Sequence, residues 1–231
     1  MIDELAYAGP EHLDVEFVAG YDRKQGHPDA DAALAQFAAH GLGQDSLVVD
    51  LGAGTGQFAF PAARQFGQVI AVDISPVMVR RLSEQAAADG LANLRCVRAG
   101  FLSYEHEGPP ADGVHTRHAL HQLPDFWKTI ALGRIAQLLR PGGVLQIRDL
   151  IYDFQPDEAS AVFGGWFDQA STDPAAGYTR EDYIQHIRTE FSTYRWLFEP
   201  MLIAAGFEIV SAEYYLRCFG EYTCIKTGGL P

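Results

Sequence analysis

Short apolar runs alternate along most of the chain with stretches whose apolar positions recur at helical spacing. The runs predict buried strands at residues 47–51, 69–73, 94–97, around 114–117 and at 144–151. Between the second and third runs, Met78, Leu82 and Ala86 share one helical face, and Ser75 followed by Pro76 is typical of a helix start. This alternation favours a parallel sheet covered by helices on both faces.

The pattern changes after Tyr152. Residues 153–199 are rich in aromatic side chains, and we interpret them as a largely helical insertion that covers the carboxyl ends of the strands. Ordinary helix packing on a sheet edge is the alternative. Apolar runs at 207–216 and 219–226 flank a short turn and predict an antiparallel hairpin. The sequence thus predicts a single domain over residues 1–231, with a helical N-terminal segment (1–45), a core (46–152), a helical cover (153–199) and a final helix and hairpin (200–231).

Composition and charge exclude several classes of protein. The 231 residues are 48% hydrophobic, which suffices for a core without disulfides. A net charge of −13 repels phosphate backbones, so we expect no nucleic-acid partner. No apolar run approaches the ~18 residues of a membrane-spanning helix, so we expect no membrane partner. Asp3 and Glu4 precede any apolar stretch, unlike a secretory signal, and three cysteines without Cys-x-x-Cys spacing favour a cytoplasmic location.

The residues that carry chemistry follow the first two predicted strands. Asp50 lies near the end of the first strand, and Gly52, Gly54 and Gly56 come directly after it. Glycines let the backbone approach a ligand closely, and the helix behind them presents free amide N–H groups. Because ligands bind outside the carboxyl ends of the strands in open α/β sheets, we expect the ligand at this loop.

Asp73 ends the second predicted strand. Its two acceptor oxygens suit the two hydroxyls of a ribose, so the sequence predicts an adenosine-type ligand. The alternative is that Asp73 only caps the next helix, although Ser75 already supplies a cap. A dinucleotide is less favoured, because the Gly-x-Gly-x-x-Gly spacing needs a glycine at position 57, where the chain has Gln57.

Together these residues resemble the class I S-adenosylmethionine-dependent methyltransferases. The similar motifs are residues 49–56 after the first strand, 72–76 after the second, 139–145 before the fifth, and 204–207 at a late helix–strand junction. The resemblance covers residues 45–151 and 200–227. It implies an α/β, Rossmann-like fold, with a seven-stranded and mostly parallel sheet, an antiparallel last strand, helices on both faces and the helical cover as an insertion. It also implies S-adenosyl-L-methionine as the cofactor.

The resemblance assigns roles at the glycine loop. It implies that Gly52 and Gly54, with Ala53 between them, contact the methionine part of the cofactor. Asp50 then orients the loop or the cofactor's amino group. Tyr21, followed by Asp22, resembles a tyrosine that closes over the methionine end, where an aromatic face suits a sulfonium. A tyrosine that packs in a surface helix is the alternative.

The resemblance also assigns the adenosine end. It implies that Asp73 holds the ribose and that Ile74 lines the adenine slot. Members of the family often carry an acid after the third strand that reads the adenine amine. This chain has Gly100 and Phe101 there, so the adenine contact is expected to rest on backbone groups and the Phe101 ring.

Two histidines follow the fourth predicted strand. His118 lies where that strand ends, and His121 shares its face if the segment is helical. Both are candidate catalytic residues, because imidazole titrates near neutral pH and suits a general base. Packing, or a cofactor contact at His118, is the alternative. We expect no metal, because no Cys, Asp or Glu nearby in the sequence completes a ligand set.

The aromatic cover suggests the acceptor. Trp166, Phe167, Tyr178, Tyr194 and Trp196 are candidates for an apolar wall, which favours a small apolar or aromatic metabolite. The implied chemistry is direct methyl displacement, which needs positioning and a dry site rather than a nucleophile triad. A non-catalytic S-adenosylmethionine-binding relative stays open, as does, less favoured, an NAD-dependent oxidoreductase.

Overall fold

The computed structural model describes residues 3–25 and 30–228, and a central β-sheet organises them. The strands are β1 (Leu47–Leu51), β2 (Gln68–Asp73), β3 (Leu94–Arg98), β4 (Ala111–Arg117), β5 (Leu139–Asp149), β6 (Ile151–Tyr152), β7 (Thr193–Tyr194), β8 (Phe207–Tyr215) and β9 (Phe219–Lys226). Strands β6 and β7 form a separate parallel pair, and the other seven form one sheet.

Helices surround this sheet. They are α1 (Val15–Gln25), α2 (Asp31–Ala39), α3 (Ala59–Gln65), α4 (Pro76–Ala88), α5 (Asp125–Leu138), α6 (Ala159–Phe167), α7 (Arg180–Thr189) and α8 (Arg195–Ala204). Within the described ranges, none of them is both long enough and apolar enough to cross a bilayer.

The order of the strands creates the crevice in which a ligand is expected. The sheet runs β3-β2-β1-β4-β5-β9-β8, and its neighbours from β3 to β5 are parallel. Strand β9 is antiparallel to both β5 and β8. The predicted seven-stranded, mostly parallel sheet with an antiparallel last strand is confirmed. Because the chain passes from β3 to the far side of β1, the order reverses between β1 and β4, and a crevice opens at their carboxyl ends.

Alternation along the strands divides the core between the two faces of the sheet. Val48 and Ala71 face a cluster that includes Leu34 and Phe37 of α2. Val49 and its same-face neighbours meet α5 and α8 on the other side. A parallel strand buried on both faces is apolar throughout, which is why the first strands read as unbroken apolar runs in the sequence.

Local signals set where elements begin. Ser75 accepts a hydrogen bond from the N–H of Met78 and caps α4, and Pro76 occupies its first turn, as the sequence predicts. Strand β5 starts at Leu139, five residues before the predicted start. Gly142 adopts φ +74° in an irregular, exposed stretch of that strand before the buried part resumes at Val144. The turn that the sequence indicates before the fifth strand is therefore an irregular stretch within β5.

The packing of β4 against α2 gives a stability prediction. A Cβ on Gly113 would lie 2.7 Å from Cε1 of Phe37 and 2.8 Å from Cδ2 of Leu42. The Phe37 ring is fully buried, so it has no room to move aside. We expect Gly113→Ala to lower the free energy of unfolding by about 1–3 kcal/mol in urea denaturation.

Gly133→Ala is the matched control. Position 133 lies within α5 with open space around an added Cβ, so helix propensity predicts a gain of up to about 1 kcal/mol. Equal losses in the two variants would contradict this packing.

Candidate functional site

The loop after β1 is held against the end of β2. The N–H groups of Gly52 and Ala53 both donate to the carbonyl of Val72, at 2.9 and 3.0 Å. Gly52 and Gly54 have φ of +75° and +54°, in the region that favours glycine. A Cβ on Gly52 would lie 2.4 Å from the Cβ of Ala119, so only glycine allows this approach to the chain after β4.

Asp73 connects the two strand ends. One of its carboxylate oxygens accepts the N–H of Gly54 and the other accepts the N–H of Ser75, each at 2.8 Å. Burial raises the pKa of this carboxyl group to about 6, although the two backbone N–H groups oppose the shift. Each oxygen keeps a further lone pair, so the side chain still offers two acceptors side by side.

Two adjoining cavities open at this point, and Tyr21, Gly52, Gly54, Arg117 and His118 line both. The first, which we call the Asp73 cavity, is also lined by predicted site residues Asp73, Ile74, Gly100 and Phe101. The second, the Arg148 cavity, is also lined by Asp50 and Ala53. Every predicted cofactor-binding residue therefore borders one continuous cleft.

Glu4 is a residue of the Asp73 cavity that sequence reasoning missed. Its carboxylate accepts the N–H of Leu102 at 2.9 Å and the hydroxyl of Ser103 at 2.8 Å. One of its oxygens lies only 2.3 Å from where a Cβ on Gly100 would be. The N-terminal segment thus places an acid directly beside the position after β3 where the sequence has none.

His118 lies where both cavities meet. Its backbone has φ +46°, an uncommon conformation for a residue with a side chain and one that is found at functional sites. Its Nε2 atom is buried and has no hydrogen-bond partner within the described structure. Burial, with Arg117 nearby, lowers the pKa of His118 to about 3, so the ring is neutral at neutral pH.

His121 lies outside the cleft. It lines neither cavity, and its Nδ1 lies 2.5 Å from Oδ1 of Asp149. Burial lowers the pKa of His121, but the Asp149 and Glu190 carboxylates together outweigh burial and raise the pKa to about 10. A ring that lies between these two carboxylates, outside the cleft, gives the predicted general-base role no support.

Polar residues run across one face of the sheet at the Arg148 cavity. Asp50, His115, Gln146 and Thr223 are paired in register on four neighbouring strands, and His115 Nδ1 lies 2.7 Å from the Asp50 carboxylate. In the next such row, Arg117 pairs with Arg148, and Arg148 pairs with Glu221.

The guanidinium groups of Arg117 and Arg148 have no carboxylate partner in the part of the protein that the structure describes. Among the described residues, neither Arg117 nor Arg148 forms an ion pair, although the Nε of Arg148 donates to the hydroxyl of Tyr215 at 2.5 Å. Burial and the neighbouring Arg148 lower the pKa of Arg117. No spacing in the sequence indicates this pair, because strand pairing brings Arg117 and Arg148 together across about thirty positions of the chain.

The aromatic residues of the cover pack against one another. The Trp166 ring stacks on Tyr183, with centroids 4.4 Å apart, and Tyr194 stacks on Trp196 at 5.3 Å. None of the five side chains proposed as an acceptor wall lines either cavity in the described part of the chain. Of the five, Trp166 and Tyr194 belong to a third small core with Leu150 and Tyr152, whereas Trp196 is exposed. The cover nevertheless reaches the cleft, because Tyr178 accepts a hydrogen bond from Gln25, which lines the Arg148 cavity.

Comparison with known proteins relates this cleft to a family. Residues 48–143, which include the loop after β1, Asp73 and His118, match a family model described as a methyltransferase domain. Residues 48–143 are thus similar to a methyltransferase domain, which confirms the resemblance to the class I S-adenosylmethionine-dependent methyltransferases identified from the motifs. S-adenosylmethionine is the cofactor that this similarity supports.

The curated relatives to which the chain is similar include proteins named as methyltransferases. The methyltransferase str3 of Strobilurus tenacellus is 31% identical over 157 residues, which are 62% of this chain and 53% of that protein. The chain thus spans about half the length of this curated relative.

Solved structures share the fold at low identity. The magnesium protoporphyrin IX methyltransferase of Synechocystis, solved with S-adenosylmethionine bound, matches with a TM-score of 0.59, 17% identity, and coverage of 90% of this chain and 81% of that one. The 4+2 cyclase SpnF matches with a TM-score of 0.64, 16% identity, and coverage of 86% and 81%. Because SpnF is a cyclase, the fold alone does not identify the reaction.

The pKa of Asp73 gives a pH prediction. Between about pH 4 and 6 the folded protein keeps a proton on Asp73 that the unfolded chain has lost, so this group makes folding less favourable as the pH rises. A shift of about two pKa units corresponds to about 3 kcal/mol. We expect the stability of Asp73→Asn relative to wild type to increase by about that amount between pH 4 and 7 in urea denaturation. An identical pH dependence in both proteins would contradict a buried, protonatable Asp73.

Proposed function

We propose that this protein transfers the methyl group of S-adenosylmethionine to a small-molecule acceptor by direct displacement. The observation that carries the proposal is Asp73, whose two oxygens are each fixed by one backbone N–H and each keep an acceptor site toward the cleft. The similarity of residues 48–143 to a methyltransferase domain supports the cofactor class, and the cleft lined by both cavities offers a place for it.

The residues fit an adenosine in the Asp73 cavity. We assign the ribose hydroxyls to Asp73 and the adenine to the part of the cavity between Ile74 and Phe101. Glu4 takes the role of the acid that the family often carries after the third strand. Its oxygens lie beside Gly100, so a glycine at that position leaves room for a carboxylate from the N-terminal segment.

The methionine end belongs where the two cavities meet. The backbone of Gly52, Ala53 and Gly54 lines the junction, and Asp50 lies beyond it, held by His115. Tyr21 borders both cavities, which supports its assignment as the aromatic face near the sulfonium.

When bound, S-adenosylmethionine supplies a methyl group that its sulfonium already activates. The protein therefore contributes positioning and exclusion of water. Of the two histidines, only His118 lines the cleft. Its buried, neutral ring with an unpartnered Nε2 suits it to form a hydrogen bond with the acceptor, whereas a pKa of about 3 makes it a weak base at neutral pH.

The lining of the Arg148 cavity supports a polar acceptor. None of the five aromatic side chains on which the expectation of an apolar or aromatic metabolite depended lines this cavity in the described part of the chain. Arg117 and Arg148 instead provide two guanidinium groups, which bind carboxylates well. We therefore propose a small acceptor with an acidic group held by this pair.

The net charge and the free cysteines support the proposed class of acceptor and the proposed location. The net charge of −13 supports a small molecule rather than a nucleic acid as the acceptor. The three cysteines are free thiols, which supports a cytoplasmic location.

Calorimetry tests the cofactor assignment. Wild type is expected to bind S-adenosylmethionine and not NADH, and Asp73→Ala is expected to lose about 1.5–3 kcal/mol of binding free energy, the contribution of hydrogen bonds to a charged group. Asp157→Ala, which removes an exposed acid, is the control and keeps wild-type affinity. Unchanged affinity in Asp73→Ala would overturn the ribose assignment. Release of S-adenosylhomocysteine with a panel of small metabolites tests turnover, and its absence across the panel would favour a non-catalytic binding protein.

The arginine pair allows a sharper test. We expect Arg148→Met to leave the Kd of S-adenosylmethionine within about twofold of wild type and to raise the KM of an acidic acceptor from that panel by about 10- to 100-fold, the range for one charge-assisted contact. The methyl ester of the same acceptor serves as the matched neutral substrate and should lose little.

Methylthioadenosine separates the two sources of a carboxylate, because it lacks the methionine carboxyl group. If Arg148→Met weakened S-adenosylmethionine but not methylthioadenosine, the pair would belong to the cofactor's carboxylate and the acidic acceptor would be rejected.

A further inference from the structure

A cluster of potential metal ligands connects the cover to the core outside the cleft. His121 follows β4, whereas His186 lies in the last turn of α7 and Glu190 caps the end of that helix. Oε2 of Glu190 lies 2.7 Å from Nε2 of His121 and 2.6 Å from Nδ1 of His186. All three ligand atoms lie within 4.8 Å of one another. His186 and Glu190 are four residues apart, so one helical face presents both.

The carboxylate oxygen at the centre of this cluster has no hydrogen bond. Glu190 Oε2 is buried, and no donor in the described structure meets it with acceptable geometry, despite two ring nitrogens within 2.7 Å. Both ring nitrogens lie closer to this oxygen than in an ordinary N–H···O bond, and neither contact meets the geometry of a hydrogen bond. Three donor atoms that converge without aligned hydrogen bonds are arranged as ligands around a common point.

The outer nitrogens of both rings are already engaged. Nδ1 of His121 lies 2.5 Å from Asp149, and the second oxygen of that carboxylate accepts the N–H of Leu120 at 2.8 Å. Nε2 of His186 lies 2.8 Å from the hydroxyl of Ser192. The contact with Asp149 fixes the orientation of the His121 ring, so that its Nε2 faces Glu190 and His186. Metal-binding histidines are commonly held by a carboxylate on the nitrogen that does not bind the metal.

We propose that His121, His186 and Glu190 form a binding site for one divalent transition metal ion, with zinc as the best match. Two imidazoles and one carboxylate are a common set for zinc, and three protein ligands leave a fourth position for water or an anion. Tetrahedral bonds of about 2.1 Å separate ligand atoms by about 3.3 Å, so the Glu190 oxygen needs to withdraw by about 0.7 Å.

The expectation of no metal depended on neighbours in the sequence. Glu190 and His186 lie more than sixty positions after His121, and only the packing of the cover on the core brings them to it. The ion would join the cover to the segment after β4, and the N–H of Phe191 already donates to the carbonyl of His121 at 2.9 Å in the same place. The site is separate from the cofactor cleft and its existence does not depend on the proposed function.

Metal binding to the purified, chelator-treated full chain tests the proposal. Calorimetry with Zn²⁺ is expected to give one ion per chain, and Co²⁺ is expected to give visible absorption bands of a low-coordinate nitrogen and oxygen site. His186→Ala and Glu190→Gln should each weaken Zn²⁺ binding by about 100-fold or more and remove the Co²⁺ bands. Zn²⁺ should also raise the Tm of wild type but not that of these variants, because binding to the folded state stabilises it.

His40→Ala is the matched control, because it also removes a histidine. His40 caps the end of α2, away from the cluster, and its Nδ1 lies 2.8 Å from the carbonyl of Gln36. It should bind Zn²⁺ as wild type does. Binding of S-adenosylmethionine by each variant confirms that it is folded. Absence of stoichiometric Zn²⁺ binding in wild type would overturn the proposal, as would wild-type affinity in both His186→Ala and Glu190→Gln.

Discussion

The cleft depends on one carboxylate that holds two strand ends together. Asp73 at the end of β2 accepts the N–H of Gly54 from the loop after β1, and the N–H of Ser75 at the start of α4. Burying that charge is unfavourable, which is why its pKa is raised. The two backbone bonds offset part of the cost and leave the carboxylate aimed at the cavity. A site of this kind sacrifices stability for a preformed hydrogen-bonding surface.

Polar residues at the cleft also replace apolar core residues elsewhere in the sheet. Most inward-facing positions are apolar, yet Asp50, His115, Gln146 and Thr223 form a polar row on the side of the Arg148 cavity. The opposite face of the same strands packs Leu51, Ile147 and other apolar residues against α5 and α8. Both faces therefore carry an apolar core, and the polar row lies at the carboxyl end of the face that packs against α2.

Much of this could be predicted from the sequence, because the decisive signals are local. Ser75 and Pro76 set the start of α4, and the loop after β1 and Asp73 follow strands that the apolar runs already identify. Glu4, Arg148 and His186 were not found, for a physical reason. Each meets its partners only through strand pairing or packing between distant segments, so no spacing in the sequence records the contact. The aromatic positions of the cover are evident in the sequence, but whether a ring faces the cleft or a neighbouring ring depends on packing, as the stacking of Trp166 on Tyr183 shows.

The cover and the N-terminal helix are joined at the open side of the cleft. Lys24 and Gln25, in the last turn of α1, contact Asp182 and Tyr178 of the cover, and Tyr21 lies one turn earlier on the same helix. Neither element belongs to the seven-stranded sheet, and Tyr21 borders both cavities. A displacement of the cover would therefore act through α1 on a side chain that lines the cleft.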